Sequence, residues 1–188
     1  MKQLLASLLL PLSALAAVSS APLAAQQSQA ATEPNPMYLS LREMALTIEA
    51  SEIGVEPEAL DQPYVAMFEM DFDGTPVTIA AFATGEASIY LGNGGGILGA
   101  AQESEAVAAA ARRFVTGSEA YLDQLRPTET YPRPASGQTT FYLVTENGVY
   151  GGSASTDALA DQQHDLSGLF YLGQDVITEI RLHEQSKQ

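Results

Sequence analysis

The fold is decided by residues 64–91, which read YVAMFEMDFDGTPVTIAAFATGEASIYL. Two apolar runs, 64–71 and 76–84, flank the pair Asp73-Gly74. An Asp-Gly pair between apolar runs is a strong signal for a tight hairpin turn. A third run at 87–91 follows a Gly-Glu pair. We therefore predict three consecutive antiparallel strands.

Helical patterns surround this meander. In the first of them, Met37, Leu41, Met44, Ala45 and Ile48 recur at spacings of three and four, which predicts an amphipathic helix with these residues on its apolar face. The other predicted elements are a helix at 104–125, strands at 139–145 and 149–151 joined by an Asn147-Gly148 turn, and a helix at 167–183 that Gly173 weakens. Residues 176–182, VITEIRL, leave a strand open as the alternative there.

The element order is thus α-βββ-α-ββ-α. It predicts an α+β domain of about five mostly antiparallel strands with two or three packed helices. In outline this order resembles profilin-like or roadblock-like architecture.

The N-terminus has the three parts of a secretory signal peptide. Lys2 is its only charge, an apolar run of leucine and alanine follows, and small residues come next. We predict a signal peptide at 1–25, cleaved near Ala25 or alternatively at Ser20. A flexible leader at 26–36 and a single globular domain at 37–188 would follow. The expected location is the periplasm or the exterior.

The composition restricts the possible partners. The chain has a net charge of −15 and no cysteine. Such an acidic protein repels nucleic-acid phosphates and anionic membrane surfaces. Disulfides, thiolate metal sites and cysteine nucleophiles are excluded, and no nucleic acid or membrane span after signal cleavage is expected.

The motif FEMDFDGT at 68–75 resembles the first motif of haloacid-dehalogenase-like phosphatases. The resemblance implies Asp71 as nucleophile and Asp73 as acid/base, working with a magnesium ion. That family also has a downstream basic residue and paired acids, whereas the only later lysine here is Lys187. The flanking apolar runs favour a hairpin turn instead, and we expect no metal or cofactor.

A second pattern is the glycine-rich run at 94–99, which formally satisfies the GxGxxG spacing of dinucleotide sites. Four residues separate it from the next predicted helix, so a flexible crossover loop is the preferred interpretation. A local anion site remains the alternative, formed by Gly94 and Gly96 with Arg112 and Arg113, and with Arg126 and Arg133 in the same stretch of sequence.

The two histidines give weaker signals. His164 lies between acids, and Glu179 precedes His183 by one helical turn. Neither site supplies the three ligands that a catalytic zinc needs. We expect His183 to interact favourably with the end of its helix.

These observations favour a non-enzymatic envelope protein that binds a protein or a small molecule. Its distinguishing feature would be an exposed patch of tyrosine and proline at 127–134, including Tyr131. The alternatives are a metal-dependent hydrolase that uses Asp71 and Asp73, and a structural or dimeric module that pairs an exposed edge strand.

Overall fold

The computed structural model describes residues 33–187. Its centre is one open antiparallel sheet of seven strands in the order β4-β3-β2-β1-β6-β7-β5. The strands are β1 Val65–Phe72, β2 Thr75–Phe82, β3 Ala87–Leu91, β4 Gly96–Ile97, β5 Arg126–Thr128, β6 Gln138–Thr145 and β7 Gly148–Ser155.

Helices cover both faces of this sheet. They are α1 Pro36–Thr47, α2 Glu105–Ser118, α3 Thr156–Ala160 and α4 Ser167–Ser186, with short 3-10 turns at Ala50–Ile53, Ala100–Glu103 and Glu119–Gln124. Helix α1 packs on one face, and α2 and α4 pack together on the other.

The alternation of side chains along β1 builds two separate cores. Ala66 and Phe68 point toward α2 and α4, whereas Val65 and Met67 point toward α1. Because successive side chains of a strand point to opposite faces, a central strand covered by helices on both faces is apolar throughout. Glu69 is the exception, because it is fully buried on the α1 side.

The prediction of an α+β fold is confirmed, and the predicted count of about five strands is roughly compatible with the seven observed, though not exact. Strands β4 and β5 have only two and three residues. Each exists because it pairs with a longer strand, β3 or β7, and such pairing leaves no periodicity in a short sequence. The five-residue helix α3 likewise has no counterpart among the predicted elements. The strand alternative at 176–182 is wrong, because these residues lie within α4.

The predicted apolar face of α1 is correct only in part. The side chains that α1 buries are those of Tyr38, Arg42, Ala45 and Leu46, whereas Met37 and Met44 are exposed. Of the predicted face, Ala45 is buried, Leu41 and Ile48 pack partly against the core, and the two methionines face away from it.

The predicted signal peptide at 1–25 and most of the leader lie outside the described residues, and Pro36 already belongs to α1. Within residues 33–187 no helix combines the length and the apolar content needed to cross a bilayer.

Gly173 is a point of close approach between α4 and the sheet. A Cβ atom added there would lie 2.9 Å from Cδ1 of Phe68. The Phe68 ring is held by stacking on Phe141 and by edge contact with Phe170, so it cannot turn aside.

We therefore expect Gly173→Ala to lower the free energy of unfolding by about 1–3 kcal/mol through overpacking, even though alanine favours helix by about 1 kcal/mol. Gly117→Ala is the matched control, because its Cβ would meet only a terminal methyl of the half-buried Leu172. Urea unfolding of both variants tests this, and equal stability of the two would contradict the described packing.

Candidate functional site

A buried ion pair joins α1 to the sheet. Arg42 donates from Nε to Oε1 of Glu69 and from Nη2 to Oε2, both at 2.7 Å. Glu69 is 0% exposed and Arg42 is 8% exposed. This two-pronged geometry is the strongest that a guanidinium and a carboxylate can form. The pair fixes the rotation of α1 on the sheet.

Two hydroxyl groups extend the pair into a chain. Thr78 on β2 donates its hydroxyl proton to Oε1 of Glu69 at 2.7 Å. A hydroxyl has a single proton, so the contact of 3.0 Å between Thr78 and Tyr38 is donated by the tyrosine. The carboxylate of Glu69 is thereby satisfied on both oxygens.

Protonation states in this cluster follow from burial and charge. Burial lowers the pKa of the Arg42 guanidinium, but the hydrogen bond and the charge of Glu69 outweigh it, so the pKa lies above its ordinary value. Burial, followed by the charge of Glu69, raises the pKa of Tyr142 to about 12. Arg42 is therefore a cation and Tyr142 a neutral phenol at neutral pH.

Tyr142 connects the ion pair to the segment that follows β5. The Arg42 guanidinium carbon lies 5.6 Å from the centre of the Tyr142 ring, within the range of a cation–π contact. The Tyr142 hydroxyl donates to the carbonyl oxygen of Pro132 at 2.6 Å. Tyr131 meets the same ring edge to face at 5.7 Å. The sheet thus holds the Tyr131-Pro132 loop in place.

A surface pocket of about 400 Å³ lies between this loop and the start of α1. It is lined by Glu33, Pro34, Leu39, Arg42, Tyr131, Pro132 and Arg133. Its size falls within the range of small-molecule sites. We call it the Arg133 pocket.

Charge in the Arg133 pocket differs from that of the chain as a whole. Arg42 and Arg133 both line it, but Glu69 balances the charge of Arg42, so Arg133 is offset only by the single carboxylate of Glu33. Within residues 33–187 Arg133 forms no salt bridge. The pocket therefore presents an available guanidinium beside tyrosine, leucine and proline side chains. This combination can hold a carboxylate that is attached to an apolar group.

The predicted Asp73-Gly74 turn is confirmed. Both residues have positive φ, 51° and 80°, as a type I′ hairpin requires. Phe72 pairs with Thr75, and Asp71 Oδ1 accepts from the Gly74 amide at 3.0 Å. Asp71 thus stabilises the turn, and Asp73 is exposed at its tip.

The alternative anion site is not assembled. Arg112 binds Glu105 and lies against Gly85, which precedes β3. Gly94 and Gly96 follow the end of β3, so a five-residue strand of about 16 Å separates the groups. Arg113 is exposed on α2 and Arg126 on β5. Only Arg133 of these arginines belongs to a pocket with a second guanidinium.

The histidines have structural contacts. His164 Nδ1 accepts from the Leu166 amide at 3.1 Å, just before α4. His183 lies in the last turns of α4, with Nε2 3.7 Å from a Glu103 carboxylate oxygen. Among the described residues no group of three histidine or acidic side chains could hold a metal.

Sequence reasoning missed Arg42 and Glu69. A signal was present, because Glu69 is the only charged residue in 64–70 and alternates with Val65 and Met67. A charge at an inward position of a buried strand requires a buried partner.

No protein-family model, curated protein or solved structure matches the chain.

Removing one residue of the ion pair leaves the other buried without a partner. We expect Arg42→Met or Glu69→Gln to cost about 3–5 kcal/mol of unfolding free energy, and Arg42→Met with Glu69→Met to cost far less than the sum. Urea unfolding followed by circular dichroism measures this. The control is Arg112→Met, which breaks an exposed pair and should cost at most about 1 kcal/mol. Equal costs for Arg42→Met and Arg112→Met would refute the buried pair.

Tyr142 also predicts an alkaline transition. A phenol whose pKa in the folded chain lies above the unfolded value of about 10 contributes stability that is complete below that pH. This stability is lost as the pH rises through about 12. NMR of isotope-labelled tyrosine rings should show one resonance titrating at this pH and disappearing in Tyr142→Phe. A Tyr142 resonance that titrates near the ordinary value would disprove this environment.

Proposed function

We propose that this protein is a non-enzymatic binding protein and that the Arg133 pocket receives a small molecule or chain terminus bearing a carboxylate. The observation that carries the proposal is an arginine without an ion-pair partner in the described chain, in a pocket of about 400 Å³ whose wall includes Tyr131. Tyr131 and Pro132 in the pocket wall belong to the stretch 127–134 that was expected to form a binding patch, which supports the proposal.

The chemistry of the pocket supports this ligand class. Arg133 supplies donors that match two carboxylate oxygens. Leu39 and the Tyr131 ring supply apolar area beside it. Because Tyr142 holds the loop through the Pro132 carbonyl, little loop ordering has to be paid for on binding.

Export to the bacterial envelope is a second part of the proposal. It rests on the pattern of residues 1–25, with its single lysine, apolar run and small residues. The denatured mass of the protein purified from the periplasmic fraction tests it. A mass that begins after Ala25 or Ser20 agrees, and a full-length mass contradicts it. The resemblance to profilin-like or roadblock-like folds stays a prediction and supplies no function.

We expect benzoate, which joins a carboxylate to an aromatic ring, to shift the amide NMR signals of residues 39–42, Tyr131 and Arg133. Arg133→Ala should weaken this binding about tenfold or more, a loss of about 1.4 kcal/mol. Arg113→Ala removes the same charge from the opposite face of the sheet and serves as the control. Shifts spread over the surface, or equal weakening by both variants, would refute the site. Native mass spectrometry of the purified protein then identifies any ligand carried from the cell.

A further inference from the structure

Helix α1 and its C-cap Ile48 carry an apolar stripe that the core covers only in part. Met37, Leu41, Met44 and Ile48 recur at the spacing of one helix face. Met37 is 62% exposed and Met44 is 58% exposed, whereas Leu41 and Ile48 pack partly against the core. We call these four residues the α1 stripe.

The α1 stripe ends in an apolar pocket. Ile48, its last member, lines a pocket of about 370 Å³ together with Ile53, Phe82, Thr84 and Glu86. A row of exposed apolar side chains that leads to a pocket is an arrangement suited to binding the apolar face of a helix. We call the α1 stripe and this pocket together the groove.

Acidic side chains are sequence neighbours of the residues that form this groove. Glu43 precedes Met44, Glu49 follows Ile48 and Glu52 precedes Ile53; all three are exposed, and Glu86 forms part of the pocket wall. Glu49 and Glu52 form a capping box with the backbone of the 3-10 turn, which leaves their negative charge in place. Within residues 33–187 none of these four acids forms a salt bridge. The sequence contains no lysine, arginine or histidine between positions 43 and 111. A basic partner would therefore meet carboxylates that no cation of this stretch balances.

We propose that the groove binds a basic amphipathic helix of a partner protein. The apolar residues of that helix would cover Met37, Leu41 and Met44 and place one side chain in the pocket beside Phe82. Its lysines and arginines would face Glu43, Glu49, Glu52 and Glu86. This surface is separate from the Arg133 pocket and does not depend on the ligand proposed there.

Charge favours a basic helix as the binding partner over a second copy of the chain or an anionic membrane. A second copy of the chain would bring the same carboxylates against themselves, and like charges brought together oppose association. An anionic membrane would be repelled for the same reason. Methionine suits a groove that receives helices, because its flexible thioether adapts to different apolar shapes.

The test uses the full chain and a synthetic helix of roughly 18 residues, about 27 Å long, with leucines on one face and lysines elsewhere. We expect micromolar binding by titration calorimetry, weakened about tenfold or more when salt rises from about 50 to about 500 mM. A peptide of the same composition with a scrambled leucine pattern should bind at least about tenfold more weakly.

Matched variants localise the binding. Met37→Gln with Met44→Gln should weaken it about tenfold or more, whereas Leu98→Gln with Leu182→Gln, which change exposed leucines elsewhere, should leave it unchanged. Glu43→Gln with Glu86→Gln should reduce affinity and flatten its salt dependence. Glu119→Gln with Glu129→Gln is the control for charge.

Oxidation of methionines by peroxide, read by mass spectrometry, distinguishes the occupants. Met37 and Met44 should be oxidised in the free protein and protected by the peptide, with the buried Met67 protected throughout. Protection that grows with protein concentration would assign the groove to a second copy. Protection in a dilute monomer would assign it to the chain's own N-terminal residues. Either result overturns the proposal. Peptide binding that is unchanged by scrambling the leucines, or by Met37→Gln with Met44→Gln, also overturns it.

Discussion

The structure depends on the buried contact between Arg42 and Glu69. A carboxylate on a central strand that is covered on both faces cannot reach water, so it requires a cation at one defined position. Only one rotation of α1 supplies that cation. The same rotation buries Tyr38, Ala45 and Leu46 and turns Met37 and Met44 outward.

Burying both methionines would gain about 1.5–3 kcal/mol each. A rotation of α1 that buried them would lose its present apolar contacts. It would also leave a buried charge without its partner, at a cost of about 3–5 kcal/mol of unfolding free energy. An ion pair of this kind specifies an arrangement more than it adds stability.

Local chemistry explains which parts of the fold the sequence predicts. The β1–β2 hairpin follows from an Asp-Gly pair between apolar runs, and α2 follows from its periodic apolar face and its Ser104 cap, which accepts from the Val107 amide. The second hairpin shows the limit of such signals. The predicted Asn147-Gly148 turn lies one residue earlier, because Thr145 pairs with Gly148 and only Gly148 has positive φ. Strands β4 and β5 could not be predicted, since two or three residues carry no periodicity and each strand is defined by its pairing, β4 with the preceding β3 and β5 with the distant β7.

For other residues, tertiary contacts determine a role that the local sequence does not predict. Gly173 suggests a weak point in α4 by helix propensity, yet it is where the helix packs on Phe68. The arginines between 112 and 133 are close in sequence but are divided between the two faces of the sheet. Arg112 lies on α2, whereas Arg133 lies beside α1. The Arg133 pocket could be predicted only in part. The tyrosine and proline of its loop were visible in the sequence, but its other wall is a helix start nearly one hundred residues earlier.

Helix α1 therefore contributes residues to two surfaces, and distance determines how charge would act at each of them. At physiological salt, charges further apart than about 8 Å are largely screened. A carboxylate inside the Arg133 pocket thus experiences mainly the charges of Arg133 and Glu33 in the pocket wall, rather than the net charge of −15 on the chain. A basic helix approaching the α1 stripe gains twice, because the acidic surface steers its encounter and the local carboxylates then hold it. The rate of the second association should therefore depend on salt far more than affinity in the first pocket does. One buried ion pair places both surfaces, because it sets the single orientation of the helix that they share.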